Sequence, residues 1–197
     1  PANEADGNCL PFLQSFVACM KEEFHDVEII VFSLHYPGWA DSYEWKGCKV
    51  FSFNGQNKPG INRLLLWRKV QRQFQLLTRT HHVKGVLSFW LGEAALLGKW
   101  LARRAEAPHH CWIQGQDARK GNKFIKWIKP QPDNLIAISD AIAETLHVNY
   151  GIRAKHIITN GIDKRKFRES NAERLTAIIG AGSLIKLKQF DLFIDVV

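Results

Sequence analysis

V-L-S-F-W-L-G-E-A-A-L-L-G-K-W-L-A-R-R-A-E-A-P-H-H-C-W-I-Q-G-Q-D, residues 86–117, carries the strongest pattern of secondary structure in the chain. Val86–Trp90 is an apolar run of strand length, Gly92–Arg104 carries a helical period, and His110–Ile113 is a second apolar run ending at Gly115. Strands covered on both faces read as continuous apolar runs, and two such strands running parallel need a crossover, most simply a helix. The stretch therefore reads as strand, helix, parallel strand.

Outward from it, the same alternation continues in both directions. Toward the N-terminus, Asn62–Arg79 reads as a helix with Leu66, Val70, Phe74 and Leu77 inward. Cys48–Phe53 and Val27–Ser33 read as strands, with Asn54-Gly55 and Pro59-Gly60 as breakers. Asn8 caps an expected helix over Cys9–Phe24, with Phe12, Phe16 and Met20 on one side and Pro11 tolerated in the first turn. Toward the C-terminus, Asn134–Ile138 and His156–Thr159 are strands, and Ser139-Asp140 caps a helix that runs to Tyr150 before Gly151. Thr176–Ile179 then reads as another strand, followed by a glycine-bearing turn and a helix from near Gln189. Alternating strands and helices of this length point to an α/β fold: a right-handed, mainly parallel sheet with helices on both faces. The expected division is one domain over 1–165, lacking a first apolar strand ahead of Pro1. A hinge and the first β-α element of a second, truncated domain follow over 166–197.

Composition narrows the classes. At 197 residues, 46% hydrophobic and 23% charged, the chain has the make-up of a folded domain, which excludes wholesale disorder. Its longest apolar runs, such as Leu64–Trp67, fall far short of the roughly 20 residues that span a bilayer. The four cysteines show no metal-ligand spacing, and reduced buried thiols, hence a cytosolic setting, are the expectation. A net charge of +8 implies an anionic partner.

Five blocks, taken in order, resemble one family. They are W-L-G-E-A-A-L-L-G at 90–98, the Gly115-Gln116-Asp117 turn after a strand, and I-S-D-A-I-A-E-T-L at 138–146. T-N-G-I-D at 159–163 followed by Phe167, and G-S-L-I-K-L-K-Q-F-D-L-F-I at 182–194, complete the set. Together they resemble family-4 retaining glycosyltransferases, whose two Rossmann-like domains of the B-type fold face each other across a cleft. The resemblance implies that this chain is the acceptor-side domain plus the opening of the donor domain, and that the fragment alone is inactive. The full protein would extend by a further domain of roughly 150 to 200 residues. It also implies a nucleotide-diphosphate sugar as co-substrate, no metal and no other cofactor, with helix N-termini and basic side chains neutralising the leaving diphosphate.

Site residues carry over unevenly. Gly7 matches a phosphate-approaching glycine loop, although the family shows two adjacent glycines and this chain has Asp6-Gly7-Asn8. Ser183 and Lys188 match an Arg and Lys that grip the diphosphate; Lys188 is retained, Ser183 loses the fork, and Lys186 lies nearby. Gln114, Gln116 and Asp117 match a His-Gly-Ser-Asp-like turn at the acceptor. An amide at Gln114 can bind sugar hydroxyls but cannot act as a proton carrier, so no catalytic residue is assigned; the resemblance implies that the leaving phosphate takes the acceptor's proton. Lys120 and Lys123, from a basic cluster interleaved with Phe124 and Trp127, are expected to bind an anionic acceptor group. Asn160, Gly161 and Asp163 resemble the interdomain hinge.

Arg68, Arg72 and Arg79 fall on one helix face and suit an anionic membrane surface. The expected partners are thus a nucleotide sugar, a glycan or lipid-linked acceptor and such a surface, with the protein cytoplasmic and peripheral to a membrane in cell-envelope glycan synthesis. Two other classes are weighed. A nucleic-acid-binding module fits the charge and the seven tryptophans, but no RNP, helix-turn-helix or zinc pattern is present. A sugar-nucleotide epimerase would need an early G-x-G-x-x-G, and Gly180-Ala181-Gly182 is too short and too late.

Overall fold

The computed structural model describes residues 6, 9–162, 164–166, 178–180, 182, 186 and 189–196. Gly7, Asp163, Ser183 and Lys188 lie outside the described residues. The chain divides into two compact units, Pro1–Ile162 and Asp163–Val197.

The first unit begins with helix α1 (Pro11–Glu23), followed by strands β1 (Ile30–Ser33), β2 (Ala40–Trp45) and β3 (Cys48–Phe53). Helix α2 (Ile61–Leu77), strand β4 (Val86–Phe89), helix α3 (Glu93–Arg104) and strand β5 (His109–Ile113) come next. It closes with α4 (Phe124–Ile128), β6 (Leu135–Ala137), α5 (Asp140–Tyr150) and β7 (His156–Ile157). The β4-β5-β6-β7 sheet is parallel throughout, with Ser88 opposite Cys111 and Ile113 opposite Ala137. These elements confirm the α/β, Rossmann-like reading.

Several expectations need correction. One sheet was expected, yet the described strands form two, β1-β3-β2 and β4-β5-β6-β7. β2 gave no apolar signal because A-D-S-Y-E-W is mostly solvent-facing. It pairs antiparallel with β3 through Lys46-Gly47, both at positive φ (47° and 71°), as a twist-matched two-residue hairpin requires. Helix α1 starts at Pro11 rather than Cys9, and Leu10, not Asn8, takes the N-cap position, with no side-chain cap. Ile178 and Ile179 are not in a strand, and the first half of that expected strand lies outside the described residues. In the second unit, helix α6 (Phe190–Val196) forms where expected, and Gly180 approaches the Phe190 and Phe193 rings.

Strand alternation explains the layers. Cys111 and Ile113 face one way and pack with Ala95 of α3, Ile125 and Ile128 of α4, and Ala143 and Leu146 of α5. Phe51 and Phe53 of β3 meet Leu66, Val70 and Phe74 of α2 together with Leu97 and Leu101 of α3, so α3 joins both clusters. On the opposite face, Phe16 of α1 packs edge-on against Trp112 at 4.9 Å and Phe89 at 5.9 Å. Burying a leucine such as Leu135 or Leu146 contributes about 2 kcal/mol.

Helix and strand come closest at Gly98, where a Cβ would lie 2.1 Å from Ser88 Oγ and 2.8 Å from His109 Nε2. The Ser88 hydroxyl donates to the Ala94 carbonyl at 3.1 Å and accepts from His109 Nε2 at 3.0 Å. Burial, reinforced by His110 and Lys99, pushes the His109 pKa down to about 4.

Candidate functional site

Polar loops gather at the carboxyl ends of β4 and β5, where open parallel sheets place their ligands. The turn from β4 to α3 is made by Trp90, a bulky residue held at φ 67°. That conformation costs energy and persists only where the surroundings enforce it. Here the Trp90 N–H donates to Trp112 O at 3.0 Å, and the Leu91 N–H is aimed at the Asp117 carboxylate, donating to Oδ2 at 2.7 Å. The other oxygen, Oδ1, accepts from Gln114 N–H at 3.2 Å and Gly115 N–H at 2.8 Å. Asp117, 9% exposed, thus ties the turn after β4 to the turn after β5 through three backbone donors.

Asn122 fixes the outer wall. Its Nδ2 donates to Leu91 O (2.7 Å) and Asp117 O (2.8 Å), and its Oδ1 accepts from Phe124 N–H at the start of α4 (3.0 Å). The Asn122 N–H donates to Tyr150 Oη at 2.8 Å, and that hydroxyl donates to Arg119 O. Asn149 of α5 donates to Ala118 O at 2.9 Å. Three side chains, Asn122, Tyr150 and Asn149, thus anchor this loop and the turn before it.

These loops enclose an open cleft of about 390 Å³, lined by Trp90, Leu91, Gly92, Gln116, Asp117 and the Arg119–Asn122 loop. A Cβ at Gly92 or Gly121 would meet no neighbour within 4 Å, so open space lies beside both glycines. The amino end of α3 borders it with the positive end of the helix dipole. Arg119 and Lys120 are exposed at its rim and form no ion pair among the described residues. The cleft is therefore electropositive and rich in donors, suited to an oxygen-rich ligand carrying negative charge.

Glu93, in the first turn of α3, does not neutralise this end. Its carboxylate is turned away, accepting from Trp67 Nε1 and His35 Nε2 (3.1 Å) and pairing with Arg63 Nε (3.5 Å). Asn57 N–H donates to His35 Nδ1 at 3.2 Å, which places the imidazole proton on Nε2, facing Glu93. Near the start of α1, Asp6 accepts from the Tyr36 hydroxyl at 2.7 Å, and this bond pushes the phenol pKa up to about 12.

The structure brings together some of the residues singled out from sequence and separates others. Gln116, Asp117 and Lys120 line the cleft, although the Asp117 oxygens are engaged by backbone donors. Gln114 sits behind the turn, where its Oε1 accepts from Asn160 at 3.2 Å and its buried Nε2 has no partner among the described residues. Lys123 is exposed beyond Asn122 and does not line the cleft. Asn160 and Gly161 are exposed at the end of the first unit. Arg68, Arg72 and Arg79 are exposed on or just beyond α2, away from the cleft. The sequence reading missed Trp90, Asn122, Tyr150 and Glu93. Only the turn-favouring Gly121-Asn122 pair carried a local signal, since the others act through contacts distant in sequence. Among the described residues, no three His, Cys, Asp or Glu side chains cluster to hold a metal.

Residues 12–166 match the family model described as Glycosyltransferase Family 4. No curated protein matches the chain, and neither does any solved structure.

Proposed function

The chain belongs to glycosyltransferase family 4, and on that premise we propose that it forms the acceptor side of a transferase using a nucleotide-diphosphate sugar. The observation that carries the reading is the cleft at the carboxyl ends of β4 and β5, with its donor-rich walls and the exposed Arg119 and Lys120 at its rim. An acceptor hydroxyl bound there attacks the donor's anomeric carbon. The bond to the leaving diphosphate breaks, the new glycosidic bond forms with retention, and the proton passes to a phosphate oxygen of the leaving group.

This route needs no histidine, consistent with Gln114 at the position where the family has one. Gln116 hydrogen-bonds sugar hydroxyls, Lys120 neutralises an anionic acceptor group, and Asp117 holds the loop shape. Gly7, Ser183 and Lys188 are assigned by resemblance to the donor diphosphate, and Asn160, Gly161 and Asp163 to the hinge. Four cysteines outside any disulfide support a cytosolic setting; cell-envelope glycan as the product class rests on the family resemblance alone.

The test is to incubate the full-length protein with uridine-, guanosine- and adenosine-diphosphate sugars and follow their consumption, then determine the anomeric configuration of the product. Turnover of one donor with retention supports the proposal. Failure of all of them to be consumed or to raise the melting temperature refutes it.

A further inference from the structure

We infer that a second cavity, at the amino ends of β5 and β6, binds a small apolar monocarboxylate. The cleft opens at the carboxyl ends of the parallel strands, so this cavity of about 250 Å³ sits at the other end of the sheet. It lies between the carboxyl half of α3 and the segment joining α4 to β6. Ala102, Ile128, Pro130 and Leu135 form its deep walls and are buried, whereas Arg103, Pro108 and Gln131 are exposed at its mouth. Among the described residues, Leu91 alone lines both spaces.

The deep walls decide what body fills it. A water held there would need roughly two to four polar partners, which aliphatic walls do not supply, so an apolar group is the favoured occupant. A cavity of about 150 Å³ admits a benzene ring, and pockets for larger ligands begin at roughly 300 Å³. The space therefore suits one ring or a short alkyl chain. It is too small for a nucleotide-diphosphate sugar.

The mouth decides the head group. Lys99 and Arg103, one turn apart on α3, both line the cavity. The Lys99 ammonium donates to Ile128 O at 2.6 Å and to Lys129 O at 3.4 Å, which leaves one of its three hydrogens for a ligand. Arg103 forms no ion pair among the described residues, so its guanidinium fork is open to a carboxylate. Glu106 and Asp133 flank the walls in sequence, but no acidic residue lines the cavity, and the Asp133 carboxylate accepts from Lys155. His109, also in the wall, adds no charge at neutral pH, because burial pushes its pKa down to about 4. Asn134 Nδ2 donates one hydrogen to His109 O at 2.9 Å and keeps the other for the ligand. One guanidinium fork and one ammonium hydrogen match a single carboxylate. A phosphate dianion would bring charge and oxygens that these groups leave unmet.

The experiment is isothermal titration of the full-length protein with hydrocinnamate, beside its uncharged amide and phenyl phosphate. Hydrocinnamate is expected to bind with a Kd of about 1 mM or below. The amide should bind about tenfold more weakly, and phenyl phosphate no more tightly than the carboxylate. Arg103→Gln should weaken hydrocinnamate binding about tenfold, through loss of the charged fork. Arg103 is exposed, so an unchanged melting temperature confirms that the variant folds. Backbone amide shifts on binding are expected at Ala107, His109 and Asn134 rather than at Gln116 and Gly121 of the cleft. Absence of binding at millimolar hydrocinnamate overturns the inference, as do shifts confined to the cleft. Equal affinity for the amide, tighter binding of phenyl phosphate, or affinity that Arg103→Gln leaves unchanged overturns it too. Titration reads no sugar transfer, so this inference and the transferase proposal stand or fall separately.

Discussion

Replacing Asp117 with alanine removes the one acceptor shared by Leu91, Gln114 and Gly115. The Leu91 N–H sits in a fully buried residue, and leaving such a donor unpaired costs about 1–3 kcal/mol. Gln114 and Gly115 are half-buried, so water can reach their N–H groups, and each adds about 0.5–1 kcal/mol. Trp90 also loses part of what holds it at positive φ. The expected loss for Asp117→Ala is about 3–4 kcal/mol. Asp117→Asn keeps the shape and one accepting edge, but turns an NH₂ toward donors on the other; about 2 kcal/mol is expected. Urea unfolding followed by far-ultraviolet circular dichroism, with the slope compared to the unsubstituted protein, measures both. An alanine variant that loses less than about 1 kcal/mol would refute the role given to this carboxylate.

Other perturbations test the frame around it. Gly98→Ala forces a methyl against Ser88 Oγ and His109 in a packed interface; after allowing for alanine's better helix propensity, destabilisation of about 2 kcal/mol is expected in thermal melts. His109 titrates near 4 in the folded chain against 6.5 unfolded, so the unfolded state binds more protons between those values. Stability is therefore lost as pH falls from about 6.5 to about 4, by about 3 kcal/mol, and His109→Gln should flatten that part of the stability profile. An unchanged profile in the variant contradicts this assignment. Thiol labelling of the native protein should modify Cys19 first and Cys9 more slowly, sparing Cys48 and Cys111 until denaturant is added. Burial pushes both of the last two thiols upward and keeps them protonated.

What could be read from sequence follows from the range of each interaction. The strands β4, β5 and β6 and the helices α2, α3 and α5 announce themselves because continuous apolar runs and a helical period are local patterns. Ser139 capping α5, with its hydroxyl accepting from Ile142 N–H at 3.3 Å, is likewise a local event. β2 was invisible because its stability comes from pairing with β3 while most of its side chains face water. The division into two sheets was also hidden, since strand patterns do not encode which edges meet.

At the site, the Gln116-Asp117 turn and Lys120 were legible as polar residues at a strand's carboxyl end. The way Asp117 acts was not, because one partner, Leu91, lies 26 residues away. Glu93 reads as an ordinary first-turn acid that favours the helix dipole. Only the folded chain shows it spent on His35, Arg63 and Trp67, leaving the amino end of α3 electropositive.

The most direct test of the account fills the cleft. Gly92 borders it with open space where a Cβ would project, so Gly92→Phe in the full-length protein blocks the acceptor without disturbing the core. Labelled sugar transfer and donor hydrolysis to water are then measured side by side. The account predicts that transfer to the acceptor collapses while hydrolysis of the nucleotide sugar persists; transfer proceeding at the unsubstituted rate would contradict it.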